Sequence, residues 1–236
     1  MDEGDEFRAE REKMVERQIA GRDVSDPAVL DAMRAVRRHA FVPEGRRSMA
    51  YSDRPLPIGE GQTISQPYIV AMMTEALALS EDDRVLEVGT GSGYGAAVLA
   101  EVAGEVYTIE RYEDLAEAAQ SRLERLGYDN VEVVVGDGTK GLPERAPFDG
   151  IVATASGPDV PETFKEQLAP GGRIVMPVGR KSGGQRLVKV VRTGDGSFEE
   201  EDLGFVRFVP LVGEEGWSGE ESTGASKPGS GGLFDF

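Results

Sequence analysis

The chain has 236 residues, enough for one sizeable core. Its 39% hydrophobic and 29% charged residues are those of a globular protein, with no apolar run long enough to span a bilayer. A net charge of −17, no cysteine and a single histidine, His39, argue against nucleic-acid partners, thiolate chemistry and histidine-built metal centres.

Residues 5–20 (DEFRAEREKMVERQIA) predict an amphipathic helix ended by Gly21. Its charged approach lacks the apolar core of a signal peptide, so a cytoplasmic location is expected. A second helix is expected over 25–36, capped by Ser25 or Asp26 with a proline in its first turn. Residues 41–58, with Pro43, Pro55 and Pro57, read as irregular structure, and Pro67 opens a third helix, PYIVAMMTEALAL.

From residue 84 short apolar runs alternate with helical ones. RVLEVG, EVYTIE, VEVVVGD, FDGIVAT and RIVMPVG are expected strands. YGAAVLAEVA, YEDLAEAAQSRLERLG and PETFKEQLAPGG are the helices between them, the last expected to run to its glycines. The alternation predicts an α/β fold with a doubly wound, mostly parallel sheet that binds ligands at its carboxyl edge. QRLVKVVRT and FEEEDLGFVRFVPLV, joined by GDGS, predict an antiparallel hairpin at the sheet edge. One domain over 1–217 is expected, with a glycine- and serine-rich, disordered tail over 218–236.

EVGTGSGYG lies between the first strand of this sheet and its helix, where backbone N–H groups collect. A nicotinamide fingerprint needs a glycine where Tyr94 stands, and no lysine–serine or lysine–threonine pair makes a P-loop. The glycine triplet Gly89, Gly91 and Gly93, with Thr90 and Ser92 between, instead follows Glu87. A carboxylate there repels a pyrophosphate and suits the ammonium group of an amino acid. Glu110 ends the next strand, where it can accept ribose hydroxyls. Asp137, followed by Gly138, ends the third and can meet the amino edge of adenine. Together these residues point to S-adenosyl-L-methionine, a phosphate-free nucleoside with a cationic sulfonium and an amino-acid tail, released as S-adenosyl-L-homocysteine.

With those residues in hand, the chain resembles the protein-L-isoaspartate O-methyltransferases. The resemblance rests on FVP, AYSDRPLPIGEGQTISQPYIVAMM, VLEVGTGSGYGAAVLA, GDGTKGLPERAPFDGIVATA, LAPGGRIVMPVG and RFVPLVGEEGW. It departs at Gly95, where many members carry a bulkier polar residue, and at SGPDVP. The resemblance implies methylation of the free α-carboxylate of L-isoaspartyl residues in peptides and in unfolded or aged proteins. It implies no membrane or nucleic-acid partner, and a monomer. By the same resemblance Ser65 supplies the essential hydroxyl, Thr63 and Ile64 line the same loop for the substrate, and Gln66 is expected to contact the cofactor or the substrate backbone. From the residues alone, the reading of Ser65 as the cap of the helix opened by Pro67 is favoured. A methyltransferase with another acceptor, or a cofactor-binding module without turnover, are the alternatives.

Overall fold

The structure, a computed structural model, describes residues 6–181 and 183–218. Most of the expected tail lies outside the described residues. The first helix, α1 (Arg8–Met14), runs on as a π-helical segment, Val15–Ala20, rather than as one α-helix over 5–20. Met14, Val15 and Ile19 recur on one face and are fully buried, which fixes that face against the domain. Gly21 ends the segment because a side chain there would press on the Glu16 and Arg17 carbonyls. Helix α2 (Pro27–Ala35) is capped by Asp26, whose carboxylate accepts from Ala28 N and Val29 N at 2.8 and 3.3 Å.

The stretch expected to be irregular contains more order than its prolines suggest. Strand β1 (Leu56–Gly59) pairs antiparallel with β2 (Gln62–Ile64), Leu56 opposite Ile64. The turn between them takes positive φ at Gly59, Glu60 and Gly61 in succession, which explains the GEG sequence. Helix α3 (Pro67–Leu77) follows within two residues.

The central sheet has seven strands, β3 (Arg84–Val88), β4 (Glu105–Glu110), β5 (Val131–Val135), β6 (Phe148–Ala153), β7 (Leu168–Gly179), β8 (Gln185–Arg192) and β9 (Phe198–Val206). Their spatial order is β5-β4-β3-β6-β7-β8-β9. The strands from β5 through β7 are parallel, and β8 and β9 add antiparallel at one edge, as expected. The chain winds outward from β3 to β5 and then returns to β6 on the other side of β3. That reversal opens a crevice at the carboxyl ends of β3 and β6. Helices α4 (Tyr94–Ala100), α5 (Glu113–Leu126) and α6 (Glu162–Gln167) connect the strands. Val85 feeds the core on one face of the sheet and Leu86 and Val88 the core on the other, so both faces are covered.

Helix α6 is shorter than the expected run to Gly172. Gln167 turns its side chain across the chain, accepting from Leu142 N at 2.8 Å and donating to Lys140 O at 2.9 Å. Leu168 pairs with Phe148, so the APGG residues already belong to β7.

Candidate active site

A cavity of about 340 Å³ lies at the switch point, within the size range of small-molecule sites. Its first wall is the loop that follows β3. Gly89 N donates to Ile109 O at 2.8 Å and Gly93 N to Thr90 O at 2.9 Å, so the loop is folded against the end of β4. The Thr154 hydroxyl, from the end of β6, donates to Gly89 O at 2.8 Å and fills the space a side chain at 89 would need. Gly89, Thr90, Gly91 and Ser92 line the cavity. Gly93 does not. It caps α4 at φ +85° and lets that helix approach Leu123 and Ala119 of α5.

The three expected acids have three different surroundings. Glu110 lines the cavity and is held by backbone N–H groups, from Gly91 at 2.9 Å on one oxygen and Arg111 and Tyr112 on the other. Glu87 also lines it but is only 1% exposed. Burial pushes its carboxyl up to about 8, opposed by the Thr108 hydroxyl bond and reinforced by Glu110. Thr108 donates to Glu87 at 2.6 Å, so Thr90, at 2.7 Å from Thr108, must donate in turn. Gly95 opens this space, since any side chain there would collide with the Glu87 carboxylate.

Asp137 is not part of the cavity wall, although Gly138 beside it is. Its carboxylate accepts from Thr139 N and Oγ1 at 3.0 and 2.7 Å and from Glu214 N at 3.0 Å. Burial opposes its ionisation, but the hydrogen bonds from Thr139 and Glu214 outweigh it and hold the carboxyl below its ordinary range. The adenine contact expected of Asp137 therefore concerns a carboxylate already committed to protein donors. It ties down a strap formed by residues 207–217. That strap adds the wall Val209–Val212 and is stitched to β6 by Ser156 N to Val209 O at 2.8 Å and Leu211 N to Ser156 O at 2.9 Å. The Trp217 indole donates to the same Ser156 carbonyl at 2.9 Å.

The facing wall is the β1–β2 hairpin. Gln62, Thr63, Ile64 and Ser65 line the cavity opposite the glycine loop. Ser65 is not the helix cap: Gln66 occupies that position and α3 starts without a side-chain cap bond. Gln66 itself lies away from the cavity wall. Its amide donates to Asp53 at 2.8 Å, and Asp53 also pairs with Arg22 at 3.2 Å. Sequence reasoning missed Thr108, on β4, and Thr154, just past β6, with Lys181; the last two line the cavity. For Thr108 the available signal was alternation, because it shares a strand face with Glu110.

The residues present suit S-adenosylmethionine. Two acids stand at adjacent strand ends, the glycine loop carries no phosphate-binding lysine, and Val88, Ile109 and Leu211 supply apolar wall for a base.

Comparison with known proteins agrees with this geometry. The protein-L-isoaspartate(D-aspartate) O-methyltransferase family matches residues 9–216. The protein-L-isoaspartate O-methyltransferase 2 of Pelobacter propionicus is 60% identical over 207 residues, 88% of this chain and 92% of that protein. The Methanoculleus marisnigri protein-L-isoaspartate O-methyltransferase is 56% identical over 220 residues, 93% and 99% of the two chains. A solved protein-L-isoaspartate O-methyltransferase superposes with a TM-score of 0.78 at 33% identity, over 87% of this chain and 67% of that one. A Plasmodium falciparum β-aspartate methyltransferase, solved in complex with S-adenosyl-L-homocysteine, gives 0.74 at 26% identity, over 87% and 98%. The chain belongs to the protein-L-isoaspartate(D-aspartate) O-methyltransferase family.

Proposed function

We propose that this chain methylates the free α-carboxylate of L-isoaspartyl residues in damaged peptides and proteins, with the Ser65 hydroxyl positioning that carboxylate. The observation that carries the reading is one cavity lined both by Glu87, Glu110 and Gly89–Ser92 and by Thr63–Ser65. S-adenosylmethionine, when bound, supplies an electrophilic methyl group on a sulfonium. On this reading Glu110 accepts the ribose hydroxyls and Glu87 faces the cationic amino-acid tail.

The acceptor carboxylate is ionised at neutral pH, with a reference pKa of about 3.5. No side chain has to remove a proton, which suits the neutral donors that the hairpin residues Gln62–Ser65 bring to the cavity, beside Lys181. A cation in the place of Ser65 would hold the carboxylate tightly before reaction and oppose the loss of its charge. A serine hydroxyl orients it more weakly, and orientation in favourable cases is worth about 7–11 kcal/mol. The methyl ester then closes to a succinimide as a backbone amide nitrogen attacks the ester carbonyl and methanol leaves, and hydrolysis of the ring returns part of the residue to normal aspartate. The reading takes 1–217 as one methyltransferase domain, acting as a monomer in the cytoplasm without membrane or nucleic-acid partners. Among the described residues, no helix is long and apolar enough to cross a membrane.

The test is transfer of labelled methyl to an isoaspartyl peptide and to its aspartyl isomer, scored as base-labile ester. Label on the isoaspartyl peptide alone supports the reading. Equal labelling of both, or label only on another acceptor, overturns it.

A further inference from the structure

Beneath the N-terminal helices lies a cluster of ionisable groups that methyl transfer does not use. Arg38 is fully buried and Arg11 is 9% exposed. Arg38 Nε donates to Ala50 O at 2.7 Å, and its guanidinium carbon lies 4.7 Å from the centre of the Tyr94 ring. Its two terminal nitrogens are buried without a hydrogen-bond partner, as are Nε and Nη1 of Arg11. Tyr51 joins the two arginines: it contacts Arg11, interacts with Arg38, and its hydroxyl lies 2.7 Å from His39 Nδ1.

The charges of this cluster do not balance. Guanidinium groups stay protonated in proteins. Burial pushes Tyr94 up to about 12 and raises Tyr51, so neither is an anion at neutral pH. Burial, with Arg11, Arg37 and Arg47 nearby, lowers His39, so it adds no acid either. Among the described residues the carboxylate acting on Arg38 is Asp53, whose Oδ2 is shared by Arg22 and Gln66 and whose Oδ1 is buried without a hydrogen-bond partner. Two buried cations thus face several unfilled donors in a protein whose net charge is −17. An unpaired buried charge is among the costliest groups to leave in an interior.

We propose that Arg11 and Arg38 bind a halide ion, chloride in the cell, as a structural component of the N-terminal helical layer. A monatomic anion accepts from donors in any direction, which suits two guanidinium groups presented from different helical segments. The arginine head is weakly hydrated, which favours chloride and bromide over the strongly hydrated fluoride. The site is separate from the methyl-transfer cavity, so it stands or falls independently of Ser65. The two meet at Tyr94, whose ring packs on Arg38 and whose residue lines the cavity.

The test is thermal unfolding of the full chain at constant ionic strength, exchanging sodium gluconate for sodium chloride. Constant ionic strength removes the general screening that a highly charged chain feels from any salt. The expected result is a saturable rise of about 3–6 °C when chloride is ten times its dissociation constant. Bromide should reproduce it, fluoride should not, and Arg11→Met should abolish it. Because a charge removed from the interior can disturb folding, the unchanged chain is also crystallised from bromide. An anomalous peak between the two guanidinium groups supports the site. A midpoint indifferent to the exchange, or crystals with water and no anomalous signal there, overturns it.

Discussion

Glu87 carries the largest energetic consequence of any single group at the site, and Glu87→Gln isolates it. The acid is 1% exposed with one hydroxyl donor, and burial moves it from an ordinary 4.5 to about 8. Keeping the carboxyl neutral over that interval corresponds to about 5 kcal/mol of penalty on its ionised form, as an upper bound. The sign follows from proton counts. Between 4.5 and 8 the unfolded chain has lost this proton and the folded chain has kept it, so folding stability falls as pH rises through that window. Above about 8 both states are ionised and the contribution flattens. Glutamine resembles the neutral acid and lacks the slope. Urea unfolding of ligand-free protein from pH 5 to 9 should therefore show the wild type losing up to about 5 kcal/mol relative to Glu87→Gln. The variant should be the more stable of the two at pH 8 and the weaker binder of S-adenosylmethionine. In the wild type, cofactor binding near pH 7 should release a proton, seen as a calorimetric heat that varies with buffer ionisation enthalpy. Stability curves that stay parallel within about 1 kcal/mol would refute the buried, neutral Glu87. Binding heats that ignore the buffer would refute its partnership with a cationic tail.

Ser65→Ala should bind S-adenosylmethionine unchanged and lose about 10–100-fold in kcat, the worth of one hydrogen bond to a charged acceptor; turnover within twofold of wild type would remove Ser65 from its role. Asp53→Ala should lower kcat/KM for an isoaspartyl peptide by about tenfold, within the range for a hydrogen-bonded charge. It should leave the cofactor dissociation constant alone, because Asp53 holds Gln66 and Arg22 outside the cavity wall. Asp137→Ala should speed hydrogen exchange at Glu214 and its neighbours, whose backbone the carboxylate holds. Unchanged exchange, with cofactor affinity alone reduced, would restore Asp137 to an adenine contact.

The strand–helix alternation was legible because the central strands β3 and β6 are nearly continuous apolar runs buried on both faces, and edge strand β5 is still rich in valine although Val135 is 52% exposed. Glu87, Glu110 and Asp137 were legible as a set for the same reason: an acid at the end of such a run stands out. Their separate duties were not, because sequence places an acid at a strand end without saying which donors reach it. Those of Asp137 come from Glu214, 77 residues along the chain. The β1–β2 hairpin was hidden by its prolines and by a turn that places Glu60, not only glycine, at positive φ. Helix α6 was overextended because GG reads as a helix stop, whereas the side chain of Gln167 and the pairing of Leu168 ended it earlier. Ser65 and its neighbours were found through resemblance; the residues alone favoured the serine as a cap, a position that Gln66 holds.

A site that needs no proton acceptor depends on how rigidly its neutral donors and walls are held. Here the two rims are anchored in the same manner, from outside the cavity. Asp53 fixes the hairpin rim through Gln66, next to Ser65, and Asp137 fixes the strap rim through Thr139 and Glu214. The anchors share no partner and sit on different elements. If each acts only on its own rim, the free-energy losses in kcat/KM of Asp53→Ala and Asp137→Ala should add within about 0.5 kcal/mol in the double variant. If instead the hairpin and strap close on one another over the substrate, breaking either anchor already opens the site. The double variant would then be no worse than the poorer single one. The hydrogen bonds favour independent walls, because none links residues 56–65 to residues 207–217 among those described. Steady-state kinetics on one isoaspartyl peptide, with all four proteins saturated with cofactor, separates the two arrangements.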